Sequence, residues 1–372
     1  MIMEETMIRW REDRIGRRAF RLLPYLLVLG LTAAPAVLRA SDIPCVWTGV
    51  EKIVAIGDLH GDYDKFVEIL KGTGLVDEGL HWAAGPTHFI QTGDIFDRGP
   101  AARKILDLLM RLEVEAALAG GKVHVLIGNH EILNLIGIVF DYPGFVTVGQ
   151  FLSFLPEEFR KSREREALKG DSREPPDALS DPEDLSPRWA EFWDRDLKTD
   201  KEAQAAYLSA LLEEYGPWLL KKNCVEKIND IVFAHGGISL KYSTWELDRI
   251  NDILRDELSF LSAPVKSPKV LKLFRPQIIY DRIGPLWYRD LAQRDESEFS
   301  SEVDRILANL NARYMVIAHS PQIGSPIAPE YMSHFRRRIW IIDTGISHYY
   351  GGSLSALIID KGQFSVWGGN NE

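Results

Sequence analysis

Short apolar runs punctuate the chain, and each stops at a glycine, an acid, an amide or a histidine. They are Lys52 to Ile56, His88 to Gln91, Val123 to Ile127, Ile231 to Ala234, Tyr314 to Ala318 and Ile339 to Ile342. Runs this short, apolar throughout rather than alternating, predict strands buried on both faces. Between the first three, apolar positions recur at helical spacing, in Phe66 to Leu70 and Ala102 to Leu112. This β-α-β-α-β opening predicts an α/β class, with parallel strands and helices on the faces of the sheet. Near the other end, Leu354 to Asp360 and Gln363 to Trp367 flank Lys361 and Gly362 and predict a hairpin.

The stretch 141–214, after the third strand, breaks this pattern. It is polar and charge-rich, with SREREALKGDSREPPDALSDPEDLSP at its centre, where Pro175 and Pro176 argue for a loop. The flanking pieces Val148 to Lys161 and Lys201 to Tyr215 have helical character. The stretch reads as an insertion, either a lid or specificity element or a solvated surface excursion.

The N-terminus changes the picture of where the chain works. A basic stretch from Arg9 to Arg21 precedes the apolar run Leu22 to Leu38, which ends in small residues near Ala40. That order is the order of a secretory signal, so residues 1–40 are expected to direct export, leaving a domain over 41–372 that is periplasmic or secreted. The apolar run has 17 residues with Pro24 and Pro35 inside it, short and broken for a spanning helix. An anchor left uncleaved over 22–38 is the alternative, and no stable membrane insertion is expected once the signal is removed. GRRAFRLL, Gly16 to Leu23, resembles a twin-arginine signal but lacks the usual Ser or Thr before the pair, which keeps the general secretory route open.

Charge excludes one class of partner. The formal net charge is −10, and removing the first 40 residues, with 7 Arg and 4 acidic residues, leaves 37 basic and 50 acidic groups and a net charge of −13. A chain that acidic is unsuited to tracking a nucleic-acid backbone, so no nucleic-acid partner is expected. Any affinity for phosphate must be local. Cys45 and Cys224 are the chain's two cysteines; in an oxidising compartment they either pair or sit as separate buried thiols.

Candidate chemistry gathers at the strand ends. The first run leads into GDLHGD, the second into GDIFDRGP and the third into GNHE, while His235 in FAHGG and His319 in VIAHS follow later runs. Strand C-termini of an open α/β sheet converge on one crevice, so these groups should meet in space. Asp58, His60, Asp94, Asn129, His235 and His319 supply six O and N donors, enough for two divalent metals if Asp94 bridges. Two such ions about 3.5–4 Å apart can share a hydroxide and aim it at phosphorus. Asp97 and His130 are then left as a carboxylate orienting an imidazole, a pair able to protonate a leaving oxygen. Arg98 offers a guanidinium fork to the phosphoryl oxygens. Any one of these motifs alone has a bland reading as a turn or a surface ion pair. Their conjunction does not.

The ordered set GDLHGD, GDIFDRGP, GNHE, HGG and AHS resembles the calcineurin-like metallophosphoesterases, and within them the PPP protein-phosphatase group. With GPLWYRD, DTGISHYYGG and YGPWLLKK added, it resembles the Shewanella-like branch of that group. The resemblance implies a four-layer sandwich of two mixed β-sheets flanked by helices, with the insertion after the third strand. It implies Asp58, His60 and Asp94 on a first metal, and Asp94, Asn129, His235 and His319 on a second, with Mn or Fe expected and Zn the alternative. It also implies His130 with Asp97 as the acid pair, and Arg98, Arg289 and Asn129 toward the phosphate. Tyr349 and Tyr350 fall where a loop would cover the site, and could stack on an aromatic substrate or serve only in packing. The function expected is hydrolysis of phosphate monoesters, on a phosphorylated protein at Tyr or Ser/Thr. A small phosphate substrate such as a diadenosine polyphosphate is the alternative, and a non-catalytic phosphate-binding module the minor one.

Overall fold

In the computed structural model, residues 43–167, 187–263 and 274–368 are described. The export segment 1–40 and the proline-rich centre of the insertion, 168–186, lie outside them. In chain order the strands are β1 Val46–Trp47, β2 Lys52–Ile56, β3 His88–Gln91, β4 Lys122–Val125, β5 Val225–Ile228, β6 Ile231–Ala234, β7 Tyr314–Ile317, β8 Ser333–His334, β9 Ile339–Ile341, β10 Ser355–Asp360 and β11 Gln363–Gly368. They form two mixed sheets, ordered β11-β10-β2-β3-β4 and β1-β5-β6-β7-β9-β8.

In the first sheet β2, β3 and β4 run parallel, with α1 (Tyr63–Gly72) and α2 (Ala102–Leu118) as the crossovers. The hairpin β10–β11 closes one side, with β10 antiparallel to β2. Alternation along β2 explains its unbroken apolar character. Ile53 and Ala55 join a core between the sheets with Ile90, Leu126, Ile231, Phe233 and Val316. Val54 and Ile56 face the other way, into the helical layer with Phe66, Ile69, Phe89 and Leu106. A strand with a core on each face has no polar side to show, as expected of a covered parallel sheet.

The second sheet was less visible in the sequence. β1 and β8 are two residues long, and β5 reads VEKI, with charges breaking the pattern. Its outer face is covered by α9 (Leu247–Ser262), through Ile250, Leu254 and Leu258, and by α11 (Glu296–Asn309), through Phe299, Val303 and Ile306. Both helices bury one stripe at three- and four-residue spacing. Together the layers form the four-layer sandwich with two mixed sheets flanked by helices.

The remaining helices are α3 (Asn129–Leu135), α4 (Val148–Phe154), α5 (Glu157–Ala167), α6 (Pro187–Thr199), α7 (Lys201–Glu214), α8 (Gly216–Leu219) and α10 (Asp290–Gln293). α4 to α7 belong to the insertion, and α6 was not expected. Phe151, Leu152 and Phe154 of α4, Trp193 of α6, and Ala203, Tyr207 and Leu211 of α7 are buried, so the described part packs into the main core. Among the described residues no helix is long and apolar enough to cross a membrane.

Pairing of the two cysteines is not observed. Both are free and buried; the Cys45 thiol donates to Asp248 Oδ1 at 2.9 Å, and Cys224 Sγ lies 3.6 Å from Asn251 Oδ1. The parallel register of β1 on β5 sets Val46 opposite Lys227, which places Cys45 beside Glu226, two positions beyond Cys224. That offset, with the inter-strand spacing, separates the Cα atoms by roughly 8 Å, too far for a disulfide. Burial pushes the Cys224 thiol up to about 12 and the Cys45 thiol upward too, there helped by Asp248. Both thiols should therefore be silent to a thiol reagent in the native protein and react on unfolding. A melting temperature lowered by reductant would instead indicate a bridge.

Candidate metal centre and acid pair

Strands of both sheets deliver the candidate residues to one place. Asp58 follows β2, Asp94 follows β3, Asn129 follows β4, His235 follows β6 directly and His319 lies two residues past β7. The loops that carry them are tight. His60, Asp94, Asp97, Arg98 and His319 all have left-handed backbone, with φ of 45, 58, 72, 69 and 64°. Non-glycine residues in that region cost on the order of 1–3 kcal/mol each and concentrate at functional sites. Gly93 is itself left-handed, and a Cβ on it would meet the Gly128 nitrogen at 2.5 Å. Only glycine lets the second and third motif loops touch.

The Asp94 carboxylate is the hub. Its Oδ1 accepts the His130 backbone N–H at 2.9 Å. Oδ2 then faces three imidazoles, with His235 Nε2 at 3.3 Å, His130 Nε2 at 3.9 Å and His60 Nε2 at 4.0 Å. Two groups able to hold a metal share it: His60, Asp94 and His130 on one side, Asp94, His235 and His319 on the other, each with ligand atoms within 4.8 Å of one another. Asn129 Oδ1 lies 2.9 Å from His235 Nε2, and His319 Nδ1 lies 3.1 Å from it. Asp58 Oδ2 stands 3.9 Å from His60 Nε2. The outer nitrogens of two rings are tied back to carbonyls, His60 Nδ1 to Phe96 O at 2.9 Å and His235 Nδ1 to Thr92 O at 3.0 Å, which leaves their Nε2 atoms facing inward.

This donor set fits divalent cations. Lone pairs of carboxylate, amide and imidazole converge with too few protons to satisfy them, and Asp58 Oδ1 is buried with no hydrogen-bond partner. Burial, helped by the neighbouring His130, drives the His60 imidazole down to about 3; burial, with His235 beside it, also holds His319 well below its usual range. Neutral imidazoles are the form that binds metal. Burial opposes ionisation of Asp94 too, but His235, His130 and His60 together hold it well below the usual carboxylate range. Burial raises Asp58, reinforced by Asp343 and Asp94.

His130 differs from the other rings. Its Nδ1 lies 2.6 Å from Asp97 Oδ2. Burial works against its charge, yet Asp94 and Asp97 outweigh that and raise its pKa. Arg98 lies under an aromatic cover, 4.7 Å from the Phe145 ring, 4.7 Å from Tyr349 and 5.2 Å from Tyr350. Tyr349 is exposed, while the Tyr350 ring sits 5.4 Å from that of His60. The Arg289 guanidinium donates to His319 O at 2.5 Å and to Ser320 Oγ at 3.2 Å.

Sequence reasoning missed several supports. Glu131 accepts the backbone N–H groups of Asp94 at 2.8 Å, Ile95 at 2.7 Å and Gly128 at 2.7 Å, binding two motif loops together. It was already visible as the last letter of GNHE. Asp343, pushed up to about 6 by burial, neighbours Asp58 and helps to raise it. It ends the sixth apolar run and so obeys the same strand-end rule. His348 binds Asp62 Oδ2 through its ring at 2.5 Å and its backbone N–H at 2.8 Å, tying the Tyr349–Tyr350 loop to the first motif.

The sandwich and the paired donor groups at its strand ends define a metal-dependent hydrolase. The profile of the calcineurin-like phosphoesterases matches residues 51–322, and the chain belongs to that family. It is therefore a hydrolase of phosphoesters. It is 28% identical over 307 residues to Shewanella-like protein phosphatase 1 of Plasmodium berghei (strain Anka), covering 81% of this chain and 68% of that one. It is 35% identical over 209 residues to Shewanella-like protein phosphatase 2 of Arabidopsis thaliana, covering 55% and 51%. Among solved structures, the cold-active protein-tyrosine phosphatase of a psychrophile, Shewanella sp., superposes with a TM-score of 0.59 at 25% identity, over 87% of this chain and 80% of that one. The resemblance to the Shewanella-like branch thus holds in sequence and in fold.

Proposed function

We propose that this chain is a phosphoprotein phosphatase that works with two divalent ions, Mn or Fe before Zn. The observation that carries the reading is the Asp94 carboxylate, whose Oδ2 faces His60, His130 and His235 at once while His130 is held by Asp97. Asp58, His60 and Asp94 would hold one ion, and Asp94, Asn129, His235 and His319 the other. Bound there, the ions would supply Lewis-acid stabilisation of the phosphoryl oxygens and acidify the attacking water. Arg98 and Arg289 bind and orient the phosphoryl group from two sides. His130 carries a proton on the nitrogen that faces the site and delivers it to the leaving oxygen, while Asp97 keeps the other nitrogen protonated.

The names of the relatives support a protein substrate. The exposed Tyr349 ring beside Arg98 supports an aromatic phosphoester, since a phenyl ring can stack where the phosphate is bound. Residues 1–40 would direct the chain to export, a role supported by the order of their basic, apolar and small-residue segments.

Phosphate release by metal-loaded protein, on matched phosphotyrosine and phosphoserine/threonine peptides beside diadenosine tetraphosphate, tests the substrate class. Peptide turnover with phosphotyrosine preferred is the expected result. Turnover of the dinucleotide alone would overturn it in favour of a small-molecule hydrolase.

A further inference from the structure

The insertion reaches the reaction site from behind, through a buried polar network. Asp97 is wholly buried. Gln150, on α4, holds it at two points: its Oε1 accepts the Asp97 backbone N–H at 2.6 Å and its Nε2 donates to Asp97 Oδ1 at 3.1 Å. Asn134, on α3, donates from Nδ2 to both carboxylate oxygens at 3.1 Å. Tyr207, on α7, closes the ring: its hydroxyl donates to Asn134 Oδ1 at 2.7 Å and accepts from Gln150 Nε2 at 3.0 Å. That contact sets both amides with their N–H groups toward the carboxylate. Phe145, also from the insertion, accepts the Arg98 N–H through its carbonyl at 2.7 Å, and its ring packs 4.9 Å from that of His130.

The chemistry of this network is specific. Its donors to Asp97 are neutral amides, so they satisfy the buried carboxylate without bringing a second cation to compete with His130. Both amides reach Oδ1, while Oδ2, which Asn134 also reaches, is the oxygen turned to the imidazole. A carboxylate in place of Gln150 would repel Asp97. An apolar side chain would strand the Asp97 N–H in the core and leave the anionic Oδ1 with Asn134 alone. Asp97 and Arg98 also stand in left-handed backbone, at φ 72 and 69°. Such strain persists only where the surroundings over-determine it. The hydrogen bonds from the Asp97 N–H to Gln150 Oε1 and from the Arg98 N–H to the Phe145 carbonyl are that over-determination.

We propose that the insertion acts in catalysis, with Gln150 and Tyr207 as positioning residues that fix Asp97 and, through it, the ring and proton of His130. The proposal rests on the reading of His130 as the proton donor to the leaving oxygen. It gives the described part of the insertion that carries Phe145, Gln150 and Tyr207 a role in every turnover, as the back wall of the site.

The test is the dependence of kcat on leaving-group basicity, measured on the full chain loaded with metal. Substrates run from aryl phosphates with acidic phenols to a phosphoserine peptide, whose alkoxide needs a proton to depart. Gln150→Met and Tyr207→Phe are compared with His130→Asn, with metal content and melting temperature measured on each. Gln150→Met should lower kcat on the phosphoserine peptide by about 10- to 100-fold, part of the 10²–10⁴ a positioned acid contributes. It should act weakly on the most acidic phenol and leave metal content and KM unchanged. Tyr207→Phe, which keeps the ring, should show the same slope with a smaller loss, and it decides the matter if the core substitution at Gln150 does not fold. A steep slope in His130→Asn with flat profiles in the other two would overturn the positioning role alone. A flat profile in His130→Asn as well would overturn the acid reading with it.

Discussion

An Asp94→Ala protein is expected to bind neither divalent ion tightly and to lose phosphate release by about 10³-fold or more, the loss of several kcal/mol of Lewis-acid stabilisation. Asp94 is common to both groups of converging donors, so its removal leaves Asp58 and His60 for one proposed ion and Asn129, His235 and His319 for the other. The measurement that isolates the effect is elemental analysis with a metal titration followed by thermal unfolding. An ion that binds only the folded state stabilises it by about 2.7 kcal/mol at one hundred times its Kd, so the wild-type melting temperature should climb with added metal. The variant should show no climb. Two ions retained at full occupancy would sink the shared-carboxylate reading, whatever happens to turnover. The metal-free wild type should itself be weak. Its buried His60 and His319 are driven neutral and Asp58 is driven toward protonation, so the site is poorly solvated until a cation joins it.

How much of this was legible in the sequence follows from what each residue touches. β2, β3, β6 and β7 were visible because a core lies on both of their faces, which leaves a continuous apolar run that few other structures produce. The donors were visible for a related reason, since a strand that ends in a buried crevice must turn sharply and shows Gly beside its ligand. The insertion was opaque because its core contacts are mixed. α6 buries Trp189, Trp193 and Leu197 at four-residue spacing, yet the run PRWAEFWDRDLKT is crowded with charges, of which Glu191, Arg195 and Lys198 face outward. Gln150 and Tyr207 are polar groups whose value lies in a partner 53 and 110 positions from Asp97, and no local pattern encodes that pairing. β1 and β8 are too short for any periodicity, which is why the second sheet came from resemblance rather than from the residues.

A His130→Asn protein decides between two uses of the same ring. The geometry gives His130 two neighbours: its Nδ1 is engaged by Asp97 at 2.6 Å, and its Nε2 faces Asp94 Oδ2 at 3.9 Å. As a proton donor it needs the first contact to stay charged and the second to stay near the leaving oxygen. As a ligand it would need a bare Nε2. Asp97 and Asp94 both favour the charged ring, whereas His60 and His319, in the same crevice, are pushed the other way. The expected outcome is therefore retention of both metals with a loss of kcat of about 10²–10⁴ on an alkyl phosphoester, the usual share of a positioned acid. Asparagine keeps the backbone N–H that Asp94 Oδ1 accepts, so the hub should not move. If metal content fell together with activity, His130 would be a ligand, and the leaving oxygen would have to take its proton from elsewhere.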